Sequence, residues 1–369
     1  MSAPLEIFLV APPGLEPVLA EEARAAGFAP AEAVPGGVRI AGGWPEVWRA
    51  NLELRGATRV LVTIGAFRAL HLAQLDKRAR RFPWGEVLRP DVPVRVEASS
   101  TRSKIYHAGA AAERVARAIR EELGAPVADD APVVVRVRLD DDLCTLGVDS
   151  SGESLHKRGH KVAVGKAPMR ETLAALFLRQ CGYAGTEPVV DPMCGSGTFV
   201  IEAAEIARGL LPGRSRRFAF EHLATFEPAA WARLRDRPAR PVPAWRCLGA
   251  DRDAGAIRMA EANAGRADVA DAIAFQRQAI SDLVAPDGPK GLVMVNPPYG
   301  GRIGERELLR GLYGTLGKVL RAGFSGWRVG IVTSEPALAR ATGLPFLPPL
   351  PPVPHGGLRV GLHRTGPLP

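Results

Sequence analysis

The apolar and polar residues of the chain follow two patterns, one before residue 150 and one after residue 160. The earlier part combines β-branched strands at residues 60–66 and 133–139 with an amphipathic helix at residues 108–123. The later part repeats a short apolar strand that ends in a polar residue, as at residues 188–191, 247–251 and 291–296. Because these strands alternate with helices, the sequence predicts an α/β fold with a doubly wound, mostly parallel sheet. Ligands of such sheets lie beyond the carboxyl ends of the strands.

Composition narrows the class of protein. Hydrophobic residues make up 46% and charged residues 24% of the 369 residues, the balance of a globular protein. No apolar run approaches the roughly 20 residues of a membrane helix, and the N-terminus lacks the basic residues of a signal peptide. The four cysteines form no CxxC pair, and His156 and His160 lack a Glu-x-x-His context, so neither a disulfide framework nor a metal site is expected. We therefore expect a cytoplasmic protein with reduced thiols.

Charge is unevenly distributed along the chain. The net charge is +9, but residues 1–150 carry −1 and residues 151–369 carry +10. This distribution favours an anionic partner, most simply nucleic acid, over the alternative of a generally basic surface. Local clusters mix basic with aromatic residues, a combination typical of nucleic-acid contacts. The residues predicted to bind the nucleic acid are Arg78, Arg80, Arg81, Arg102, Lys104, Lys157 and Arg158.

A glycine-rich turn follows the strand at residues 188–191 and opens a helix. Its sequence, DPMCGSGTF, lets the backbone approach a ligand closely and presents free N–H groups at the helix start. Enzymes that bind NAD share such turns, but Val200 stands where the dinucleotide fingerprint has its third glycine. Asp251 ends the next strand, where an acidic residue accepts ribose hydroxyls; the alternative is a helix N-cap.

The sequence Asn-Pro-Pro-Tyr at residues 296–299 is the most specific feature. Asn296 offers a side-chain oxygen and Pro297 a backbone carbonyl, two acceptors for the hydrogens of an exocyclic amine. Tyr299 offers a ring on which a base can stack. The alternative is a rigid proline turn with a capping asparagine.

Together, DPMCGSGTF and NPPY resemble the Rossmann-like amino-group methyltransferases that depend on S-adenosylmethionine. Three further stretches, LHKRGH, APMRETLA and RFAFE, are similar to those of bacterial guanine-N2 RNA methyltransferases. Residues 51–155 resemble a THUMP RNA-binding domain. The resemblance implies a ferredoxin-like piece at 1–50, the THUMP domain at 51–155 and a Rossmann-like methyltransferase domain at 156–369.

The resemblance also implies functional residues. The catalytic group would be Asn296, Pro297, Pro298 and Tyr299. The residues around S-adenosylmethionine would be Pro168, Arg170, Asp191, Cys194, Gly195, Ser196, Gly197, Thr198, Phe199, Asp251, Arg252 and Asp282. Many relatives have aspartate where this chain has Gln278, near the expected adenine edge.

The implied reaction is methyl transfer to the exocyclic N2 amine of a guanosine in large-subunit (23S) ribosomal RNA. A tRNA guanine-N2 methyltransferase is the first alternative. A DNA adenine-N6 methyltransferase and a non-catalytic RNA-binding assembly factor are the others. The THUMP-like half argues against the DNA enzyme, and the intact NPPY sequence argues against loss of catalysis.

Overall fold

The computed structural model describes residues 4–162, 169–299 and 306–369. The chain forms two compact units. The first unit comprises Met1–Ala11, Leu19–Leu155 and Arg216–Arg237, and the second comprises Pro12–Val18, His156–Ser215 and Pro238–Pro369. Residues 216–237, which the sequence assigns to the methyltransferase region, thus fold with the first unit.

Strands and helices follow one another along both units. The strands are β1 (Leu5–Val10), β2 (Ala31–Val34), β3 (Gly37–Gly42), β4 (Arg59–Arg68), β5 (Val94–Thr101), β6 (Val133–Asp140), β7 (Leu143–Asp149), β8 (Val189–Asp191), β9 (Cys247–Asp251), β10 (Ile273–Arg277), β11 (Leu292–Val295), β12 (Arg328–Thr333), β13 (Val353–His355) and β14 (Leu358–Arg364). The α-helices are α1 (Glu16–Ala25), α2 (Trp44–Glu53), α3 (Leu72–Arg80), α4 (Ala108–Leu123), α5 (Glu171–Gln180), α6 (Thr198–Ala207), α7 (Pro228–Arg235), α8 (Ala254–Arg266), α9 (Arg306–Gly323) and α10 (Pro336–Ala341).

The first unit is built on one sheet in the order β2-β3-β1-β4-β7-β6-β5. Neighbouring strands within this sheet pair antiparallel, except for β5 and β6, which pair parallel. Strand β4 pairs with both β1 and β7, so the sheet runs through residues 1–50 and 51–155 alike. Helix α4 has the bounds that its apolar stripe predicts; Val115 and Ile119 on that stripe are buried. It ends at Gly124, whose φ of +82° suits glycine.

An aromatic cluster explains why residues 216–237 belong to the first unit. Phe220 stacks on Phe218 at 5.1 Å and meets Trp231 edge-on at 5.0 Å between ring centroids. Trp48 of α2 lies 6.2 Å from Phe220 and 6.0 Å from Phe226. Rings of this size each bury on the order of 150–250 Å², enough to hold the segment against α2.

The second unit contains the predicted parallel sheet. Its strand order is β10-β9-β8-β11-β12-β14-β13. The first five strands of this order run parallel to one another, and β14 pairs antiparallel with β12. The expected doubly wound α/β sheet is therefore confirmed. Since β8 is followed in sequence by β9 on one side and borders β11 on the other, the winding direction reverses between β8 and β11. Such a reversal opens a crevice at the carboxyl ends of the two strands.

Among the described residues, none of the helices has the length and apolar character needed to cross a lipid bilayer.

Candidate functional site

The glycine turn of residues 192–197 joins β8 to α6. Gly195 and Gly197 have φ angles of +54° and +85°, which favour glycine. A Cβ on Gly197 would stand 3.1 Å from the Ala260 side chain on α8, so a larger residue would push α6 and α8 apart. A Cβ on Gly195 would meet no described atom within 4 Å. The turn is thus packed on one side and open on the other, where a ligand can approach the backbone.

Asp251 fastens the glycine turn to the next strand. Its Oδ2 accepts a hydrogen bond from the Gly195 N–H at 3.1 Å, and its Oδ1 accepts one from the Asp253 N–H at 2.9 Å. The N-cap of α8 is Asp253, which accepts from the Gly255 N–H at 2.8 Å. The alternative interpretation of Asp251 as a helix cap is therefore wrong: its carboxylate lies at the carboxyl end of β9, against the turn.

Asp191 shapes the turn from inside. It is buried at the end of β8 and its Oδ1 accepts from the Met193 N–H at 3.1 Å. Burial, supported by the nearby Asp251 charge, raises the pKa of Asp191 to about 8. Burial also raises the pKa of the Cys194 thiol, whose backbone N–H donates to Ala250. The Phe199 side chain is only 2% exposed and lies in the core. Of the predicted cofactor residues, these three therefore support the turn from beneath.

Strand β11 delivers the Asn-Pro-Pro-Tyr residues to the same edge of the sheet. All four residues of β11 are buried, and Asn296 follows directly. The Asn296 Oδ1 is buried and accepts no hydrogen bond from any described residue. Pro297 is buried, and the half-buried Tyr299 packs against the apolar core, where burial raises the pKa of its hydroxyl. A buried acceptor without a donor costs about 1–3 kcal/mol, so it calls for an explanation by function.

The expected adenine edge lies beyond β10. The Gln278 N–H donates to the Asp251 carbonyl at 3.0 Å, which fixes this segment beside β9. Asp282 is exposed on a short 3₁₀ turn, Ile280–Asp282, and accepts from the Ser281 hydroxyl at 2.9 Å. Gln278 and Asp282 both line a cavity of about 490 Å³. Arg252 is exposed next to Asp251.

Lys161 was missed by sequence analysis although it organises the turn. Its Nζ donates to the Met169 carbonyl at 2.9 Å and the Thr198 hydroxyl at 2.8 Å, and pairs with Glu171 Oε1 at 3.2 Å. It thereby links the starts of α5 and α6. Its place in a basic stretch gave no sign of this role. Arg170 is exposed at the N-cap of α5, and Pro168 lies outside the described residues.

The prediction that Arg158 contacts RNA is wrong. Its side chain is 2% exposed and pairs with Glu202, 1% exposed, at 3.2 Å. Nearby, Arg214 pairs with Glu205 at 2.6 Å, and the His160 Nδ1 lies 3.8 Å from the same carboxylate. Burial lowers the pKa of His160. Within this network against α6, the Arg158 and His160 side chains are buried and out of reach of a polyanion. Lys157, one position before Arg158, is exposed.

The predicted RNA-binding residues of the first unit divide into two groups. Arg78, Arg81 and Lys104 are exposed. Arg80 instead pairs with Asp76, Glu121 and Glu122 at 2.9, 2.5 and 2.8 Å, and these carboxylates raise the pKa of its guanidinium. Because Asp76 lies on α3 and Glu121 and Glu122 lie on α4, Arg80 holds α3 to α4, and its role as an RNA contact stays a prediction. Arg102 is exposed but pairs with Asp140 at 2.7 Å.

The sheet order, the glycine turn after β8, the acidic residue after β9 and the Asn-Pro-Pro-Tyr residues after β11 define the class: a Rossmann-like methyltransferase. More particularly, the chain belongs to the family of the RMKL-like methyltransferase domain, whose model matches residues 158–345. Residues 6–61 match the RlmL ferredoxin-like domain. The ferredoxin-like N-terminal region and the methyltransferase fold are thus confirmed.

Known proteins resemble the chain over nearly its whole length. It is 37% identical over 364 residues to the ribosomal RNA large subunit methyltransferase K/L of Syntrophotalea carbinolica, covering 93% of this chain and 51% of that protein. The protein of the same name from Methylococcus capsulatus is 34% identical, and the match covers 92% of this chain and 48% of that protein. The chain therefore spans about half the length of these relatives. The structure described as "SMU.472, a putative methyltransferase complexed with SAH" matches at a TM-score of 0.87 and 26% identity, covering 100% of both chains.

Proposed function

We propose that this protein transfers a methyl group from S-adenosylmethionine to the exocyclic N2 amine of a guanosine in 23S ribosomal RNA. The buried Oδ1 of Asn296, which accepts no hydrogen bond from the residues that the structure describes, carries the proposal. It stands at the carboxyl end of β11, the strand that borders β8 and hence the glycine turn. An amine donor entering the crevice would satisfy this acceptor.

The residues at the crevice fit the cofactor. The open side of Gly195 leaves space beside the backbone, and Asp251 presents a carboxylate where ribose hydroxyls are bound in this fold. The Gln278 N–H donates to the Asp251 carbonyl, which places this segment beside the expected adenine edge. The relative with SAH bound supports this choice of ligand. When bound, S-adenosylmethionine supplies an electrophilic methyl group on a positively charged sulfur.

The chain's own residues act on the guanine. The amine is a poor nucleophile because its lone pair is delocalised into the ring. Asn296 Oδ1 and the Pro297 carbonyl would accept the two amine hydrogens, orient the nitrogen and favour the positive charge that develops on it. Tyr299 would stack on the base, which must leave its own stack to enter. Much of the rate enhancement would come from this positioning.

Two observations support RNA as the substrate. The two relatives described above are named as large-subunit ribosomal RNA methyltransferases. In this chain, Arg78, Arg81, Lys104 and Lys157 are exposed cations that suit phosphate contacts. Such contacts predict binding that weakens steeply with salt.

The test is methyl transfer from radiolabelled S-adenosylmethionine to total rRNA and, separately, total tRNA from cells lacking the protein, followed by nucleoside analysis. We expect N2-methylguanosine from the rRNA. Label in tRNA alone would select the tRNA enzyme, and label in DNA as N6-methyladenine would overturn the proposal. Asn296→Ala should abolish turnover yet bind S-adenosylhomocysteine almost as wild type does, because its side chain serves the amine. A large loss of cofactor affinity in this variant would contradict the assigned role.

A further inference from the structure

The loop of residues 102–107, between β5 and α4, is held firmly by the turn that joins β6 to β7. The Lys104 N–H donates to Asp142 Oδ1 at 2.7 Å, and the Asp142 N–H donates to the Ser103 hydroxyl at 3.0 Å. The Ser100 hydroxyl donates to the Ile105 carbonyl at 2.6 Å. Residues 103–105, in the middle of the loop, are thus each held by a hydrogen bond.

This rigid loop also contains backbone that few side chains adopt. Arg102 has a φ of +50°, and Asp141 and Asp142 opposite it have φ angles of +50° and +60°. Aspartate tolerates this region, but arginine is unusual there and costs on the order of 1–3 kcal/mol in strain. The Arg102 pair with Asp140 helps to hold it. Strain of this kind persists where a functional surface depends on it.

The loop presents one aromatic ring to solvent. Ile105 is buried and anchors the loop, while Lys104 and Tyr106 on either side of it point outward. Tyr106 is 86% exposed, more than any other large apolar side chain of the described residues. His107 is occupied, because its Nδ1 accepts from the Ala110 N–H at 3.0 Å and caps α4. Arg102 is exposed too but pairs with Asp140, so Tyr106 and Lys104 are the side chains that we consider as contacts to a partner.

We propose that Tyr106 is a stacking platform for an unpaired base of the RNA substrate, with Lys104 beside it to contact a phosphate. This inference rests on the proposed function, since it assumes that the substrate is RNA. A single exposed ring among polar and charged neighbours suits one base, whereas a protein interface is centred on a contiguous apolar patch. Because the loop is already rigid, the ring loses little conformational entropy when it binds. The surface would favour single-stranded or bulged RNA over a continuous duplex.

The test uses the full-length protein and single-stranded RNA oligonucleotides that carry 2-aminopurine, whose fluorescence is quenched by stacking. We expect the wild type to quench the probe and to bind single-stranded RNA more tightly than a duplex. Tyr106→Ala should remove quenching and weaken binding about 5- to 100-fold, the range that a lost base–aromatic stack gives. Tyr106→Phe should keep both, since stacking needs the ring and not the hydroxyl. Lys104→Ala should lower the salt dependence of binding.

Matched controls separate the two proposals. Leu358→Ala removes a half-exposed apolar side chain from the second unit and should change neither signal. If wild-type protein binds and methylates RNA but Tyr106→Ala does so equally well, the stacking platform is refuted and the proposed function stands. If the wild type binds no RNA, both the stacking platform and the proposed function are refuted. If Tyr106→Ala loses only its binding to ribosomal particles and keeps its affinity for naked RNA, the partner is a protein and the inference is overturned.

Discussion

Replacing Arg158 by methionine should destabilise the second unit without weakening RNA binding. The Arg158–Glu202 pair is 3.2 Å long and both side chains are almost fully buried, so the substitution leaves the Glu202 carboxylate in the interior without its cation. Removing one partner of a buried pair costs about 3–5 kcal/mol. At about 2–4 °C per kcal/mol for a unit of this size, the midpoint of thermal unfolding should fall by about 6–20 °C. Scanning calorimetry measures the shift, and RNA affinity is measured on the same samples below the transition.

The neighbouring residue provides the control. Lys157→Met makes the same chemical change at an exposed position and should cost less than about 0.5 kcal/mol. The double variant Arg158→Met, Glu202→Met should recover most of the stability, because it removes the buried charge together with its partner. Unchanged stability in Arg158→Met combined with weaker RNA binding would refute the buried pair and restore Arg158 as an RNA contact.

Two further predictions concern the glycine turn. Because Asp191 has a folded-state pKa of about 8, well above that of an unfolded aspartate, the folded protein holds an extra proton and its stability should fall as pH rises from about 7.5 to 8. His156, His160, His355 and His363, whose pKa values are lowered, give the opposite slope only at lower pH, because above about pH 7.5 they are largely neutral in the unfolded chain as well. Asp191→Asn should flatten that slope in thermal-shift measurements, and a wild-type stability that rises over the same window would contradict the assignment. Lys161→Met should raise the KM for S-adenosylmethionine by about 10- to 100-fold through misplacement of the turn, and Lys161→Arg should recover part of it. If the KM for RNA rose by the same factor, or if kcat fell while the KM for S-adenosylmethionine stayed unchanged, Lys161 would act elsewhere.

Local patterns in the sequence predicted the elements that build the site. The apolar stripe at residues 108–123 gave α4 its bounds, and the short apolar runs that end in polar residues became β8, β9 and β11. These elements are predictable because burial on one side leaves a period of 3.6 or a short continuous apolar run along the chain. The positions of the glycine turn and of Asn296 followed from the ends of those strands.

Contacts between distant residues could not be predicted in this way. Arg158 looked like its exposed neighbour Lys157, because its buried partner Glu202 lies 44 positions later in the sequence. The RFAFE sequence was assigned by resemblance to the methyltransferase region, and nothing in it indicated that Phe220 packs against Trp48 of the first unit. Asp251 allowed two interpretations until the position of the Gly195 N–H decided between them. In each case, the missing information was the identity of a partner far away in sequence.

The buried Asn296 acceptor, which has no donor among the described residues, is tolerable because of where the sheet places it. Strand β11 is buried along its whole length between β8 and β12, so the backbone that carries Asn296 starts from a fixed strand end. The cost of about 1–3 kcal/mol is small beside the apolar burial of the core that packs on β11. An acceptor that is already desolvated and held in place needs no reorganisation when an amine arrives. The hydrogen bond to the amine then removes the desolvation penalty of the acceptor, and it does so at the nitrogen that reacts. The same rigidity explains why a neutral amide suits position 296: a carboxylate in this buried place would cost more to desolvate and would tend to take up a proton, losing an acceptor.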